Sequence, residues 1–298
     1  MAVMGKIRMQ SLKLEILDHI SDPGHQDKAN DDALCFNDHM AAVLDGATGL
    51  GDHPIFDDAE SDAAWLSRFA APMLAGLEAD LPEIVRAVNL AACREVAKRV
   101  DISKLPAFAW PTCGFEMVRL CGDRLEVGGL GDCVAYVFLQ GRDEIVRHSA
   151  LPASRSGETS AARHLLDAAG GLGSEGSIVH SGEALERLRQ VRSLSNTPKS
   201  GVWTLGLVEE AAEHVKTMQV AVEPGDVFLL MSDGFSALSE AYGCHTPKGL
   251  VDAATGRGLA VLMEELRDVE RVLDPDGKRF ARFKRSDDAT AILGRIRD

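Results

Sequence analysis

Positive charge is scarce in this sequence. Its 298 residues include 32 Lys and Arg against 46 Asp and Glu, which gives a formal net charge of -14 at pH 7. This excess argues against nucleic acid or an anionic membrane as a main partner, because both are themselves negatively charged. The surplus carboxylates either form a solubilising surface or gather around cations, and oxygen ligands select hard metal ions such as Mg²⁺ or Mn²⁺.

Paired cysteines and long apolar stretches are also lacking. The six cysteines form no C-x-x-C pair and several lie inside apolar runs, so they indicate buried, reduced thiols. This excludes a zinc site and a disulfide framework. No stretch is long enough to span a bilayer, and residues 1–10 are not followed by the apolar core of a signal peptide. We therefore expect a cytoplasmic protein that does not contact a membrane.

The remaining composition is that of a globular protein, with 45% hydrophobic and 26% charged residues. Apolar stripes at helical spacing predict two helices between residues 57 and 100, and antiparallel strands follow in a meander from residue 115. Residues 152–200 are rich in serine, glycine and charge, with short helical pieces at 161–169 and 183–191. We expect this segment to leave the core as a flap inside a single domain of residues 1–298.

Four acidic loops adjoin four apolar strands. A single Asp-Gly pair is most often a hairpin turn. Here the same arrangement occurs four times, and Asp31 and Asp32 precede a further short strand that would carry them toward Asp45. Repetition in matching context favours a shared carboxylate cluster. The loops are Asp45-Gly46, Gly131-Asp132, Ser232-Asp233-Gly234 and Ser286-Asp287-Asp288.

The ordered set of motifs resembles the metal-dependent protein phosphatases, the protein phosphatase 2C type of serine/threonine phosphatase, in a bacterial form. The resemblance runs from about residue 12 to residue 296 and implies an α+β fold. The expected architecture is a four-layer αββα sandwich of two antiparallel sheets flanked by helices. The motifs are Asn30-Asp31-Asp32-Ala33, Asp45-Gly46-Ala47-Thr48-Gly49, Leu130-Gly131-Asp132, Ser232-Asp233-Gly234 and Asp287-Asp288-Ala289-Thr290.

The resemblance also implies roles for individual residues. Asp45 would bridge two Mn²⁺ or Mg²⁺ ions, and the Gly46 carbonyl would bind one of them. Two cations close together activate water and neutralise a phosphoryl group, so no covalent enzyme intermediate is needed. Asp31 would orient the attacking water with support from Asp32. Asp233 and Asp287 would complete the second metal site, and Asp132 with Asp233 would serve a weaker third ion.

Three positions depart from the family pattern. The arginine that clamps the substrate phosphate is replaced by Asp27, a residue that would repel phosphate. Lys28 could substitute as a point charge. The basic run Lys278, Arg279, Arg282, Lys284 and Arg285 is a second candidate, although a solvated charge run is the favoured interpretation. The other departures are Ala47, where eukaryotic members carry a histidine, and Cys133, where serine is usual.

We therefore predict a monomeric phosphatase in signal transduction, which hydrolyses phosphoserine and phosphothreonine on proteins. The alternative is a pseudophosphatase that binds a phosphoprotein and regulates without turnover, as the aspartate at position 27 would suggest. A third option is a hydrolase acting on a small phosphate ester. The sequence identifies neither the substrate, the physiological metal nor the partner kinase.

Overall fold

The described part of the computed structural model comprises residues 12–152, 163–164, 166–167, 170–173, 176–178 and 182–298. Within it, ten strands form two five-stranded antiparallel sheets. The strands are β1 (Lys13–Asp22), β2 (Ala33–Phe36), β3 (Met40–Gly46), β4 (Cys113–Cys121), β5 (Arg124–Leu130), β6 (Val134–Leu139), β7 (Glu144–His148), β8 (Lys216–Ala221), β9 (Val227–Met231) and β10 (Ala289–Arg297).

The first sheet has the strand order β1-β10-β9-β6-β7, and the second has the order β2-β3-β4-β5-β8. The helices are α1 (Asp62–Gly76), α2 (Leu81–Ala97), α3 (Gly182–Arg192), α4 (Asp233–Glu240), α5 (Pro247–Arg257) and α6 (Leu259–Asp268). Short 3₁₀ turns lie at Ile102–Lys104, Ala107–Ala109, Gln140–Arg142 and Glu209–His214, and a π turn at Val269–Leu273 follows α6.

Three hydrophobic clusters establish the layers. One cluster joins the second sheet to α1 and α2, and another joins the first sheet to α4, α5 and α6. The third lies between the sheets and includes Val43 of β3 and Leu230 of β9. The expected αββα sandwich is thereby confirmed, since each sheet buries one face against its partner and the other against helices.

Local sequence accounts for the elements next to the site. All five residues of β9 are buried, as expected for a continuous apolar run covered on both faces. Helix α2 begins with a side-chain cap, in which the Asp80 carboxylate accepts from the Glu83 N–H at 2.9 Å. Helix α1 is capped by Ser61, whose hydroxyl oxygen accepts from the Ala64 N–H at 2.9 Å.

Several elements differ from the sequence expectation. Strand β5 continues through two glycines to Leu130, so the second acidic loop is shorter than its glycine content suggested. Strand β8 and helices α5 and α6 were not predicted. In residues 152–200, α3 matches the predicted helix at 183–191, whereas most of the helix expected at 161–169 lies outside the described residues.

No helix in the described ranges combines the length and the apolar character that a membrane span requires.

Candidate active site

Two of the predicted acidic segments meet in the second sheet. Ala33 of β2 lies opposite Leu44 of β3. This register brings Asp32, just before β2, next to Asp45 at the penultimate position of β3. The expected approach of the Asp31–Asp32 pair to Asp45 is therefore present in the structure.

Two further segments, Ser232-Asp233-Gly234 and Ser286-Asp287-Asp288, meet in the first sheet and reach across to the second. The Ser232 N–H donates to the Thr290 carbonyl at 2.9 Å, and the Thr290 N–H donates back to the Ser232 hydroxyl at 2.9 Å. These bonds align the start of α4 with the start of β10. The Asp233 N–H then donates to Asp45 Oδ2 at 3.2 Å, which links the two sheets at the site.

Gly46 allows the loops to approach this closely. A Cβ atom at this position would lie 2.3 Å from the Asp31 carbonyl oxygen, nearer than non-bonded atoms can come. Only glycine therefore lets the end of β3 pack against the segment that carries the acidic pair.

Asp288 organises the site, although the sequence analysis assigned it no role. Its Oδ1 accepts from the Gly24 N–H at 3.2 Å, and its Oδ2 accepts from the Asp31 N–H at 3.0 Å. The two carboxylate oxygens of Asp288 thus fix the backbone of the site at Gly24 and at Asp31. The signal was the Asp-Asp pair itself, whose second member was overlooked because only the first matched a ligand position.

Asp31 is buried, and its side chain is held by Ser61, the residue that caps the start of α1. The Ser61 hydroxyl donates to Asp31 Oδ1, and the Ser67 hydroxyl donates to the Asp31 carbonyl at 2.7 Å. Burial raises the pKa of the Asp31 carboxyl to about 6, against the Ser61 hydrogen bond and with the charge of Asp288. Such a carboxyl can exchange a proton near neutral pH.

Asp32 and Asp45 lie close to other carboxylates, whose negative charge opposes their ionisation. Asp32 is 5% exposed, and its Oδ2 has no hydrogen-bond partner. Burial and the neighbouring Asp288 raise the pKa of Asp32, while burial and the charges of Asp233 and Asp32 raise that of Asp45. A buried carboxylate oxygen without a partner, as in Asp32, is costly, and a cation would satisfy it and offset the repulsion at Asp45.

Two cavities adjoin this cluster. The larger, which we call the cleft, has a volume of about 770 Å³ and is lined on its acidic side by Asp31, Asp287 and Asp288. The smaller has a volume of about 410 Å³, and Asp132, Asp233 and Asp287 all line it. The four predicted aspartates other than Asp32 and Asp45 therefore all line one cavity or both.

As the side chains stand, the described residues contain no group of three or more His, Cys, Asp and Glu that could hold a metal ion. Protein donors already engage two predicted ligands. Asp45 accepts from the Asp233 N–H, and the Lys284 ammonium donates to Asp287 Oδ1 at 2.6 Å. Because Mg²⁺ sites use one or two carboxylates and several waters, the donors suit such an ion in kind, and Lys284 is the group that would have to move.

The basic run is exposed at its start, where the Lys278 side chain is 71% exposed, whereas its later members are paired, so the solvated interpretation holds for part of the run. Arg282 is 13% exposed and pairs with Asp274 at 2.8 Å, and Lys284 is 26% exposed. Arg285 donates to the carbonyls of Pro275 and Gly173 at 2.9 and 3.0 Å. Most of these partners lie within ten residues along the chain, and only Gly173 is remote in sequence.

Lys28, predicted as a phosphate contact, lines the cleft. Its neighbour Asp27 also lines the cleft, with a side chain that is 91% exposed. Trp203, by contrast, belongs to the core: it is 7% exposed and stacks on His214 with 3.6 Å between ring centroids.

Comparison with solved structures identifies the fold. This chain has the fold of the PPM, or protein phosphatase 2C type, serine/threonine phosphatases over nearly its whole length. The catalytic domain of the phosphatase PstP in complex with two manganese ions is 18% identical, with a TM-score of 0.53 over 97% of this chain and 100% of that one.

A second structure of PstP/Ppp, from Mycobacterium tuberculosis, gives the same identity, coverage and TM-score. PppA, a regulatory component of the type VI secretion system in Pseudomonas aeruginosa, is 17% identical, with a TM-score of 0.53 over 96% of this chain and 98% of that one. No protein-family model matches the sequence, and no curated protein does.

Proposed function

We propose that the protein is a metal-dependent serine/threonine phosphatase that hydrolyses phosphate monoesters on proteins. The observation that carries this proposal is the convergence of Asp45, Asp233 and Asp287 with Asp32, whose Oδ2 is buried without a partner. The cluster lies in a fold shared with PstP, a phosphatase described with two manganese ions. The proposed reaction explains why this chain gathers like charges that oppose its own stability.

The proposed cofactors are two Mn²⁺ or Mg²⁺ ions, with a weaker third. When bound, such ions lower the pKa of water and neutralise charge on a phosphoryl group. The residues that would hold them are Asp45, the Gly46 carbonyl, Asp132, Asp233 and Asp287.

The remaining catalytic roles belong to the buried acidic pair, Asp31 and Asp32. We assign to Asp31 the task of orienting the attacking water and exchanging its proton, since its pKa lies near 6. Ser61 fixes the side chain of Asp31, and Asp288 fixes its backbone. Asp32 would act behind Asp31 through its negative charge.

A second candidate is a pseudophosphatase that binds a phosphoprotein without turnover. Two observations favour it. Asp27 adds negative charge to the cleft, and the Lys284 ammonium already neutralises a predicted metal ligand. Further expectations stay predictions. They are that the partner is a phosphoprotein, that the protein is a cytoplasmic monomer, and that residues 1–298 form a single domain with a flap.

The deciding experiment measures hydrolysis of p-nitrophenyl phosphate with added manganese, with and without chelator. The variant is Asp45→Asn, which keeps the side-chain shape and removes the charge. The matched control is Asp123→Asn, an exposed residue in the hairpin between β4 and β5. That hairpin lies at the end of β4 remote from Cys113, the partner of Gly46.

Turnover that requires both manganese and Asp45, and that survives in the control, would support the phosphatase. Absence of turnover with manganese binding still seen by calorimetry would favour the pseudophosphatase. Absence of both would contradict the metal assignment. Phosphoserine and phosphothreonine peptides, tested next, would separate a protein phosphatase from an enzyme for small esters.

A further inference from the structure

Arg271 enters the cleft from an unusual backbone segment. Helix α6 is followed by the five-residue π turn Val269–Leu273, and such turns occur frequently at functional sites. Arg271 lies in this turn and lines the cleft. Its Nη2 donates to the Gly24 carbonyl at 3.0 Å, and its Nε donates to the Ser286 hydroxyl at 3.2 Å.

Both acceptors are neutral, which distinguishes Arg271 from Arg267 and Lys284, the nearby cations that pair with carboxylates. Arg267 pairs with Asp22 at 2.6 Å and with Glu270 at 2.8 Å, and Lys284 pairs with Asp287. Within the described residues Arg271 has no carboxylate at ion-pair distance, although it is exposed beside an acidic cluster. Its charge is therefore available to a ligand.

The hydrogen-bond geometry leaves one edge of the guanidinium open. The Gly24 and Ser286 acceptors occupy one proton of Nη2 and that of Nε. The Nη1 protons and the second Nη2 proton remain for a ligand with two oxygens. A guanidinium already held by the protein also loses little conformational freedom when it binds a phosphate in this bidentate way.

The other cleft cations are less suited to this task. Lys284 is engaged by Asp287, and Arg285 donates to two main-chain carbonyls. Lys28 follows Asp27, whose carboxylate opposes an incoming anion. The cleft wall also carries Asp31 and Asp288, so an anionic ligand needs at least one cation that these carboxylates have not neutralised.

We propose that Arg271 binds the phosphate group of the substrate and replaces the arginine that is absent at position 27. This inference rests on the proposed function, because it names the residue that recognises the phosphate ester. It differs from the sequence-based candidates, Lys28 and the run 278–285. Arg271 lies outside that run, and only folding brings it to Gly24.

The test compares Arg271→Gln and Arg271→Lys with wild type. Lys28→Gln examines the competing candidate. Arg257→Gln is the matched control, since Arg257 is an exposed arginine at the end of α5 that pairs with Glu265. Inorganic phosphate is titrated into each protein by calorimetry, with manganese and with chelator. Manganese affinity, thermal unfolding and the KM and kcat for p-nitrophenyl phosphate are measured on the same samples.

We expect R271Q to weaken phosphate binding by about 10- to 100-fold, the loss that follows removal of hydrogen bonds to a charged group. KM should rise by a similar factor, with manganese affinity unchanged. R271K should fall between R271Q and wild type because it keeps the charge without the forked geometry, and it still decides the matter if R271Q fails to fold. K28Q and R257Q should bind phosphate like wild type.

Equal phosphate affinity of wild type and both Arg271 variants would overturn the inference. So would loss of phosphate binding in K28Q alone, or a wild type that binds no phosphate under either condition. If turnover is absent and phosphate binding still depends on Arg271, the proposed catalysis fails while this inference stands.

Discussion

Lys284 stands between the two cavities and lines both of them. Burial lowers the pKa of its ammonium, but the charge of Asp287 and its hydrogen bond outweigh burial, so the net pKa is raised. The protonated lysine therefore occupies a position beside a predicted metal ligand. Two cations cannot share that carboxylate without repulsion, so Lys284 and a metal ion should compete for Asp287.

Replacing Lys284 by methionine should tighten manganese binding by about tenfold or more, because the change removes a competing charge. The matched control is Lys278→Met in the same basic run, since Lys278 is 71% exposed and pairs with Asp276 at 3.4 Å. Calorimetric titration with manganese measures both variants. Weaker binding in K284M would mean that Lys284 supports the metal site and does not compete with it.

At the scale of elements, the site depends on backbone contact between α4 and the segment that leads into β10. A Cβ atom on Gly234, the second residue of α4, would lie 2.0 Å from the Asp288 carbonyl oxygen. The neighbouring residues Asp233 and Asp288 both belong to the acidic cluster. The glycine thus sets the distance between two strand ends and, through them, between carboxylates on different elements.

Gly234→Ala should lower the free energy of unfolding by about 1–3 kcal/mol, because the backbone must shift to admit the methyl group. Gly256→Ala serves as control, since Gly256 lies within α5 and a Cβ there meets nothing within 4 Å. That change should leave stability within about 1 kcal/mol of wild type or raise it, since alanine favours helix. Urea denaturation measures both, and equal values would contradict the proposed contact.

At the scale of the whole molecule, the acidic cluster should make stability depend on pH and on metal. Burial raises the pKa values of Asp31, Asp32, Asp45 and Asp288. Between the unfolded pKa of about 3.9 and the folded pKa of about 6 for Asp31, the folded state holds a proton that the unfolded state has released. Stability must therefore fall as pH rises through this window.

Chelator-treated protein should accordingly melt at a lower temperature at about pH 7.5 than at about pH 5. Carboxylates with lowered pKa, such as Asp274, complete their titration below this range and do not offset the effect. Asp31→Asn should reduce the pH dependence, whereas the control Asp123→Asn should not. Added manganese should raise the melting temperature most at the higher pH, and a flat or opposite profile would contradict this account.

The strands at the site could be read from the sequence because the local pattern suffices for them. An apolar run that ends in an aspartate and a glycine, as at Asp45 and Asp233, marks a buried strand and the turn after it. The meander order then restricts the sheets to a few arrangements. Helices α5 and α6 were not predicted, because no capping signal for them was recognised in the sequence.

The sequence by itself determined which residues stand at the strand ends, because strand formation and turns depend on neighbours along the chain. It also predicted that acidic side chains would cluster and that they would hold a cation. Only the tertiary structure decided how charges are paired. Lys284 reaches Asp287, Asp288 reaches Gly24 and Asp31, and Arg271 keeps its charge unpaired beside them. Electrostatic energy depends on distance in space, and most of these partners lie more than 200 residues apart in the chain.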